Sequence, residues 1–274
     1  MAKQISIFIF SLFFLIQGFG QRTVNQFERK REEKLQKKNR INEIIRNEEE
    51  GVPAFAKHNI FSFKLHHDGY GLIFEKGWMK TPYKSTIVQL ELAEKRHPKE
   101  EKQGSTSVTN SGFVVFGRPF VYGKQNIFYQ AKAGIGKQLM IGGKTNKNGV
   151  AAYFVFVGGF SAGLERPYYL EFDAVPTNVK IKYTEANRAQ FLNPDAILGG
   201  TGLQKGWNEI KFNPGAYAKA GLRFDWARFN QVVSAMEFGF GVDYFSKEVV
   251  QMVDNPGRSF FPTGYVGLVF GNRK

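Results

Sequence analysis

The sequence predicts an all-β chain, an antiparallel up-and-down transmembrane β-barrel of about eight strands preceded by a short periplasmic α-helix. Three observations predict it. From Pro214 to Gly271 three successive segments alternate apolar and non-apolar residues with a period of two, each closed by turn residues. An export signal opens the chain, and every long connection between strand-like segments falls at the same end of the strands.

The export signal comes first. Lys3 precedes an apolar run from Ile5 to Ile16, followed by Gly18 and Gly20, so residues 1–20 read as a signal peptide cut between Gly20 and Gln21. The run holds about a dozen apolar-rich residues, short of the roughly 20 a spanning helix needs. No later run approaches that length, which excludes a helical membrane protein and leaves a closed barrel as the way to cross a bilayer. Cysteine is absent, which removes disulfides and thiol chemistry.

Residues 21–52 form a charged periplasmic extension, with a weakly amphipathic helix expected over 22–50. Its middle is basic (Arg29, Lys30, Arg31, Lys34, Lys37, Lys38, Arg40) and its end acidic (Glu48, Glu49, Glu50), an order that opposes the helix dipole at the C-terminus. The segment is either a solvated spacer or a helix that docks on a partner or a membrane surface. Gly51 and Pro53 end it.

The barrel occupies 53–274. Strands are expected at 58–66, 70–79, 84–96, 126–141, 149–165, 214–227, 230–245 and 262–271. If the chain enters from the periplasm, the long loops near 97–125 and 166–213 are extracellular and the turns at 80–83, 142–148 and Arg228 are periplasmic, the asymmetry of outer-membrane barrels. On this register Val232, Met236, Phe238, Phe240, Val242 and Tyr244 face lipid. The opposite parity carries Lys64, Glu75, Glu91, Lys132, Lys219, Arg223, Asp225, Glu237 and Asp243, four basic and five acidic groups, as a lumen closed by ion pairs requires. Strand 149–165 is apolar on both faces, so its lipid side stays open.

Composition agrees: 28 Phe, 11 Tyr, 3 Trp and 30 Gly suit aromatic girdles and tightly twisted strands. A net charge of +14 would suit nucleic acid, but an exported chain rarely meets it. Outer-membrane lipid, lipopolysaccharide phosphates or an acidic protein partner are the expected partners, with no nucleic acid.

The chain resembles small, eight-stranded outer-membrane β-barrel proteins of the Bacteroidota type, a loosely annotated family. The residues carrying the resemblance are the signal ending Gly20-Gln21, the strand Gly215 to Leu222, and the closing Thr263 to Phe270. Such barrels usually stop on an aromatic residue, whereas Phe270 here is followed by four more residues. The resemblance implies location and topology and no chemistry.

No catalytic, cofactor-binding or metal residue is expected. Gly143-Lys144-Thr145 fails as a phosphate loop because position 138 is Gln138 rather than glycine. The histidines His58, His66, His67 and His97 show no metal-ligand spacing. A lipid-A-modifying enzyme would need His66, Asp68 and Ser161 together, and strands one and five lie on opposite sides of an eight-stranded barrel. A wide pore is also excluded, since eight strands enclose little more than their own side chains. The expected function is a non-enzymatic membrane anchor and interaction protein, a subunit of an outer-membrane secretion, assembly or uptake complex acting through 22–50 and its outer loops. Apolar residues Tyr168, Tyr169, Phe191, Leu192 and Trp207 suggest a folded cap. The alternatives are the lipid-A enzyme and a soluble periplasmic ligand-binding β-barrel.

Overall fold

The computed structural model describes residues 28–39, 42, 56–104, 106–108, 114–144, 149–172, 178–227 and 231–274. The expected signal peptide lies outside the described residues, as does much of 21–52. The chain divides into two units, 1–54 and 55–274. In the first, residues 28–39 are helical and exposed. Among the described residues no helix is long and apolar enough to cross a membrane.

The second unit is a closed eight-stranded barrel. Its strands are β1 (Lys57–His66), β2 (Gly69–Thr81), β3 (Lys84–Lys95), β4 (Asn126–Gly142), β5 (Ala151–Pro167), β6 (Lys211–Asp225), β7 (Val232–Val249) and β8 (Arg258–Arg273). Each pairs antiparallel with its sequence neighbour, and β1 closes on β8 with Phe61 opposite Phe270. Closure leaves no unpaired edge, the condition for backbone polar groups to sit in hydrocarbon.

Side-chain alternation sets which face is which. Along β6, Ala216, Ala218, Leu222 and Phe224 are exposed while Tyr217, Lys219, Arg223 and Asp225 are buried. The expected lipid-facing side of β7 points outward, with Phe240 80 % exposed. All nine charged residues assigned to the lumen are buried. For β5 the structure supplies what the sequence left open. Phe154, Phe156 and Phe160 point out, whereas Tyr153, Val155 and Val157 point in, the two valines packing with Ile87 and Tyr217. Both faces are apolar because this strand contributes an apolar wall to an otherwise charged interior.

The narrow lumen demands close approaches. A Cβ on Gly77 would sit 2.1 Å from the His58 ring, and one on Gly134 2.3 Å from the Tyr217 hydroxyl. Glycine at these inward positions leaves room for the ring opposite.

The strands overrun their expected limits at one end. β7 continues to Val249 and β8 begins at Arg258, with a register shift between Tyr244 and Val249. At the other end the last strand runs past its expected limit of 271 and ends at Arg273. Connections 67–68, 96–125, 168–210 and 250–257 share one end, the loop end. The turns 82–83, 143–150 and 226–231, with both ends of the barrel chain, share the other, the turn end.

The loop end carries secondary structure of its own. Tyr169–Phe172, Val179–Lys182 and Ile197–Gly200 form a three-stranded sheet. Its core joins Phe120 from the first long loop to Tyr168, Leu170, Phe172, Phe191 and Ile197 from the second, with Ile127 at the start of β4. The two long loops therefore fold together as one cap.

Candidate functional site

The lumen is a stack of paired charges. At the turn end Asp225 accepts from Arg273, lies 3.8 Å from Lys144 Nζ, and caps the Ala227 amide at 2.9 Å. One layer higher, Arg223 donates to both oxygens of Glu75 at 2.8 Å and to Glu237 Oε2 at 2.8 Å, so one guanidinium joins β2, β6 and β7. His58, at 2.9 Å, and Gln89 complete the shell of Glu75. Glu237 also accepts from Lys64 at 2.6 Å and from the Tyr265 hydroxyl at 2.9 Å.

Above this, Glu91 accepts from Lys219 at 2.5 Å, and Lys132 bridges Glu91 at 3.5 Å and Asp243 at 2.7 Å. Lys95 closes the top by donating to Asp68 at 2.6 Å and Thr263 at 2.8 Å. Phe128, Phe245 and Phe261 then pack edge-on and stacked across the loop end, 5.3 to 5.8 Å between centroids. A void between Lys64, Glu91, Lys132, Asp243 and Tyr265 measures about 10 Å³. That is close to the space of a single water, so the lumen between these side chains is filled.

The residues considered for chemistry are not joined to one another by hydrogen bonds. Asp68 is held by Lys95, and His66 Nε2 faces Glu91 at 3.9 Å. Ser161 Oγ is buried with no hydrogen-bond partner. Lys144 of the failed phosphate loop folds inward onto the Ala227 carbonyl beside Asp225. Among the described residues no group of His, Asp and Glu is placed to hold a metal ion. Sequence reasoning missed His58, Lys95, Lys144 and Arg273 as lumen groups. His58 and Lys95 lie within expected strands, on the parity of Lys64 and Glu91, and were legible there; Arg273 lies beyond the expected end of its strand and Lys144 in a turn, where alternation gives no parity.

The cap is tied to the barrel by side chains whose partners alternation could not show. Arg166 sits over Trp207, 4.6 Å from its centroid, and Trp207 stacks on Tyr129 of β4 at 5.9 Å. Trp207 itself remains half-exposed. The Tyr168 hydroxyl accepts from the Val121 amide at 3.2 Å, and the Tyr122 hydroxyl donates to the Leu192 carbonyl at 2.8 Å, each linking one long loop to the other. On the cap surface Glu209 accepts from Lys182 and from the Tyr169 hydroxyl, and these bonds, Lys182 first, hold its carboxyl below the usual glutamate range. Arg188 grips Asp254 of the 250–257 connection with bonds of 2.6 and 2.7 Å.

An apolar outer wall around a charged, internally paired lumen is the inverse of a soluble barrel. Strand order, closure and burial define the class: a small transmembrane β-barrel with a sealed interior and a folded cap. No protein-family model matches the chain, and no curated protein matches it. Among solved structures the chain is similar to Neisserial surface protein A, at 7% identity over 80% of this chain and 94% of that one, with a TM-score of 0.36. It is similar also to the attachment invasion locus protein of Yersinia pestis, at 9% identity over 80% of this chain and 95% of that one, with a TM-score of 0.33. A further structure is of that Yersinia protein in complex with the heparin analogue sucrose octasulfate, at 10% identity, the same coverages and a TM-score of 0.32.

Proposed function

We propose that this protein is a non-enzymatic outer-membrane barrel that anchors a folded cap at the cell surface, where the cap serves as an interaction surface. The observation carrying this is the cap core, in which Phe120 of one long loop packs with Leu170, Phe172 and Phe191 of the other. A sealed barrel needs no such structure to span a membrane, and long loops with structure of their own are commonly functional. The filled lumen argues against transport, and the engagement of His66 with Glu91 and of Asp68 with Lys95, with Ser161 Oγ buried and bonded to neither, argues against a lipid-A-directed enzyme.

In this account export through residues 1–20 leaves a mature chain beginning at Gln21. The chain enters β1 at the turn end, which puts the short turns in the periplasm and the cap outside. The basic segment 22–50 then offers a periplasmic protein-docking element, and the barrel serves as a subunit of a secretion, assembly or uptake complex.

The test is co-purification from cross-linked cells carrying the full chain, a chain lacking 22–50, or a chain whose residues 170–209 are replaced by a short Gly-Ser linker. The expected outcome is that each deletion removes a different set of co-purifying proteins while the barrel still reaches the membrane. Recovery of the same proteins from all three chains would defeat the interaction role.

A further inference from the structure

The outer wall of the barrel is apolar on every strand, but its charge is not evenly spread at the turn end. Outward positions there carry Lys57 on β1, Lys76 and Lys80 on β2, Lys84 on β3 and Lys137 on β4, all exposed. On β5 to β8 the outward positions Phe154, Phe224, Trp226, Val232 and Phe270 are uncharged, and the exposed Lys274, just past β8, pairs through its backbone with Lys57 of β1. Among the described residues, outward positive charge at this end is thus concentrated on β1 to β4, with Lys274 beside Lys57 at the seam with β8.

The register makes these lysines neighbours. Lys57 pairs with Trp78 and Lys76 with Asn59, so Lys57 and Lys76 stand diagonally across β1 and β2. Lys84 pairs with Leu139 and Lys137 with Thr86, the same diagonal across β3 and β4. Diagonal neighbours on one sheet face are within reach of long side chains. Lys80 and Lys84 flank the turn at Pro82 and Tyr83 and connect the two pairs.

None of the five forms an ion pair among the described residues, and no carboxylate shares their outward face at this end: Glu75 and Glu91 of the same strands point into the lumen. Five like charges on a membrane-facing wall repel one another and call for an anion. Trp78 and the exposed Tyr83 mark the level of the polar–apolar boundary. Lys76 Nζ lies 5.7 Å from the Trp78 ring centroid, so this side chain runs along the wall toward that boundary.

We infer that the turn-end wall of β1 to β4 is a binding site for the phosphate groups of anionic glycerophospholipids in the leaflet facing the turn end. The lysines supply the countercharge, and the apolar positions above them (Phe74, Val88, Leu90, Ile135) supply the surface for the acyl chains. The inference rests on the barrel spanning a bilayer.

Native mass spectrometry of the full chain in a neutral detergent tests it, with phosphatidylglycerol and phosphatidylcholine of identical acyl chains added at equal concentration. The expected result is a preference for phosphatidylglycerol on the order of tenfold or more, at roughly fivefold per lysine engaged. K76Q/K80Q/K84Q/K137Q should abolish the preference, and K80Q/K84Q, which spares the strand interiors, should reduce it. K102Q/K180Q/K205Q/K247Q, which removes the same charge from the loop end, should leave it intact. Inorganic phosphate should not compete.

A folded chain that binds both lipids equally would overturn the inference, as would a preference that survives K76Q/K80Q/K84Q/K137Q. Equal lipid binding is also what a wall built for an acidic protein would show. A chain without a heat-dependent shift in gel mobility would instead overturn the membrane account itself, so the two failures are distinct.

Discussion

Arg223 is the residue on which the lumen turns. Its buried guanidinium satisfies the buried Glu75 and Glu237 together, so removing it leaves two buried carboxylates facing each other. Breaking a buried ion pair from one side costs about 3 to 5 kcal/mol. Arg223→Ala is expected to lose at least that much in denaturant unfolding of the detergent-folded protein. Arg223→Lys should recover only part, because an ammonium cannot present the planar fork that meets two carboxylates at once. If the alanine variant unfolds at the wild-type midpoint, Arg223 does not hold these strands together. At this scale the sequence was highly legible. In a two-residue period one correct parity fixes every side chain on a strand, and Lys64, Glu75, Glu91, Lys132, Lys219, Arg223, Asp225, Glu237 and Asp243 all point inward as expected. Their pairing was not legible, since Glu75 could have met Lys64 as easily as Arg223 until shear and register were known.

Among the elements, the cap and the barrel have separate cores, Phe191 with Phe172 and Ile197 in one and Phe128 with Phe245 and Phe261 in the other. They should therefore fail separately. Phe191→Ala removes a fully buried ring from the cap, a change worth about 3 to 5 kcal/mol in a packed core. Hydrogen exchange should show loss of protection over 169–172 and 197–200 with β1 to β8 unchanged. Loss of protection across the barrel strands as well would mean that cap and barrel form one cooperative unit. Of the cap core only Tyr168 and Phe191 were read from the sequence; Phe120, Leu170, Phe172 and Ile197 were not, nor was its three-stranded sheet. Each of its strands has four residues, too few for a period to appear, and they are ordered by contacts between distant loops. For the same reason β5 was ambiguous: its inward Val155 and Val157 answer Ile87 and Tyr217 on other strands, a fact no local pattern holds. Asn272, Arg273 and Lys274 fall beyond the expected strand 262–271 because none of them is apolar, yet Arg273 places its charge against Asp225 in the lumen.

For the whole molecule, the same alternation that puts ion pairs inside leaves Phe61, Phe74, Phe156, Phe240 and Leu268 outside, and so much exposed apolar surface has no stable place in water. The sealed lumen and the greasy wall are two consequences of one pattern. They require a bilayer around the barrel and permit little to pass through it, leaving the cap and the charged turn end as the parts that face other molecules. The most direct test is membrane fractionation of expressing cells, followed by gel electrophoresis of the chain with and without boiling. The protein should sediment with the outer membrane and its unboiled form should run ahead of the boiled one, because a closed, ion-paired barrel stays folded in detergent. Release into the soluble fraction by osmotic shock, with one mobility before and after boiling, would contradict it.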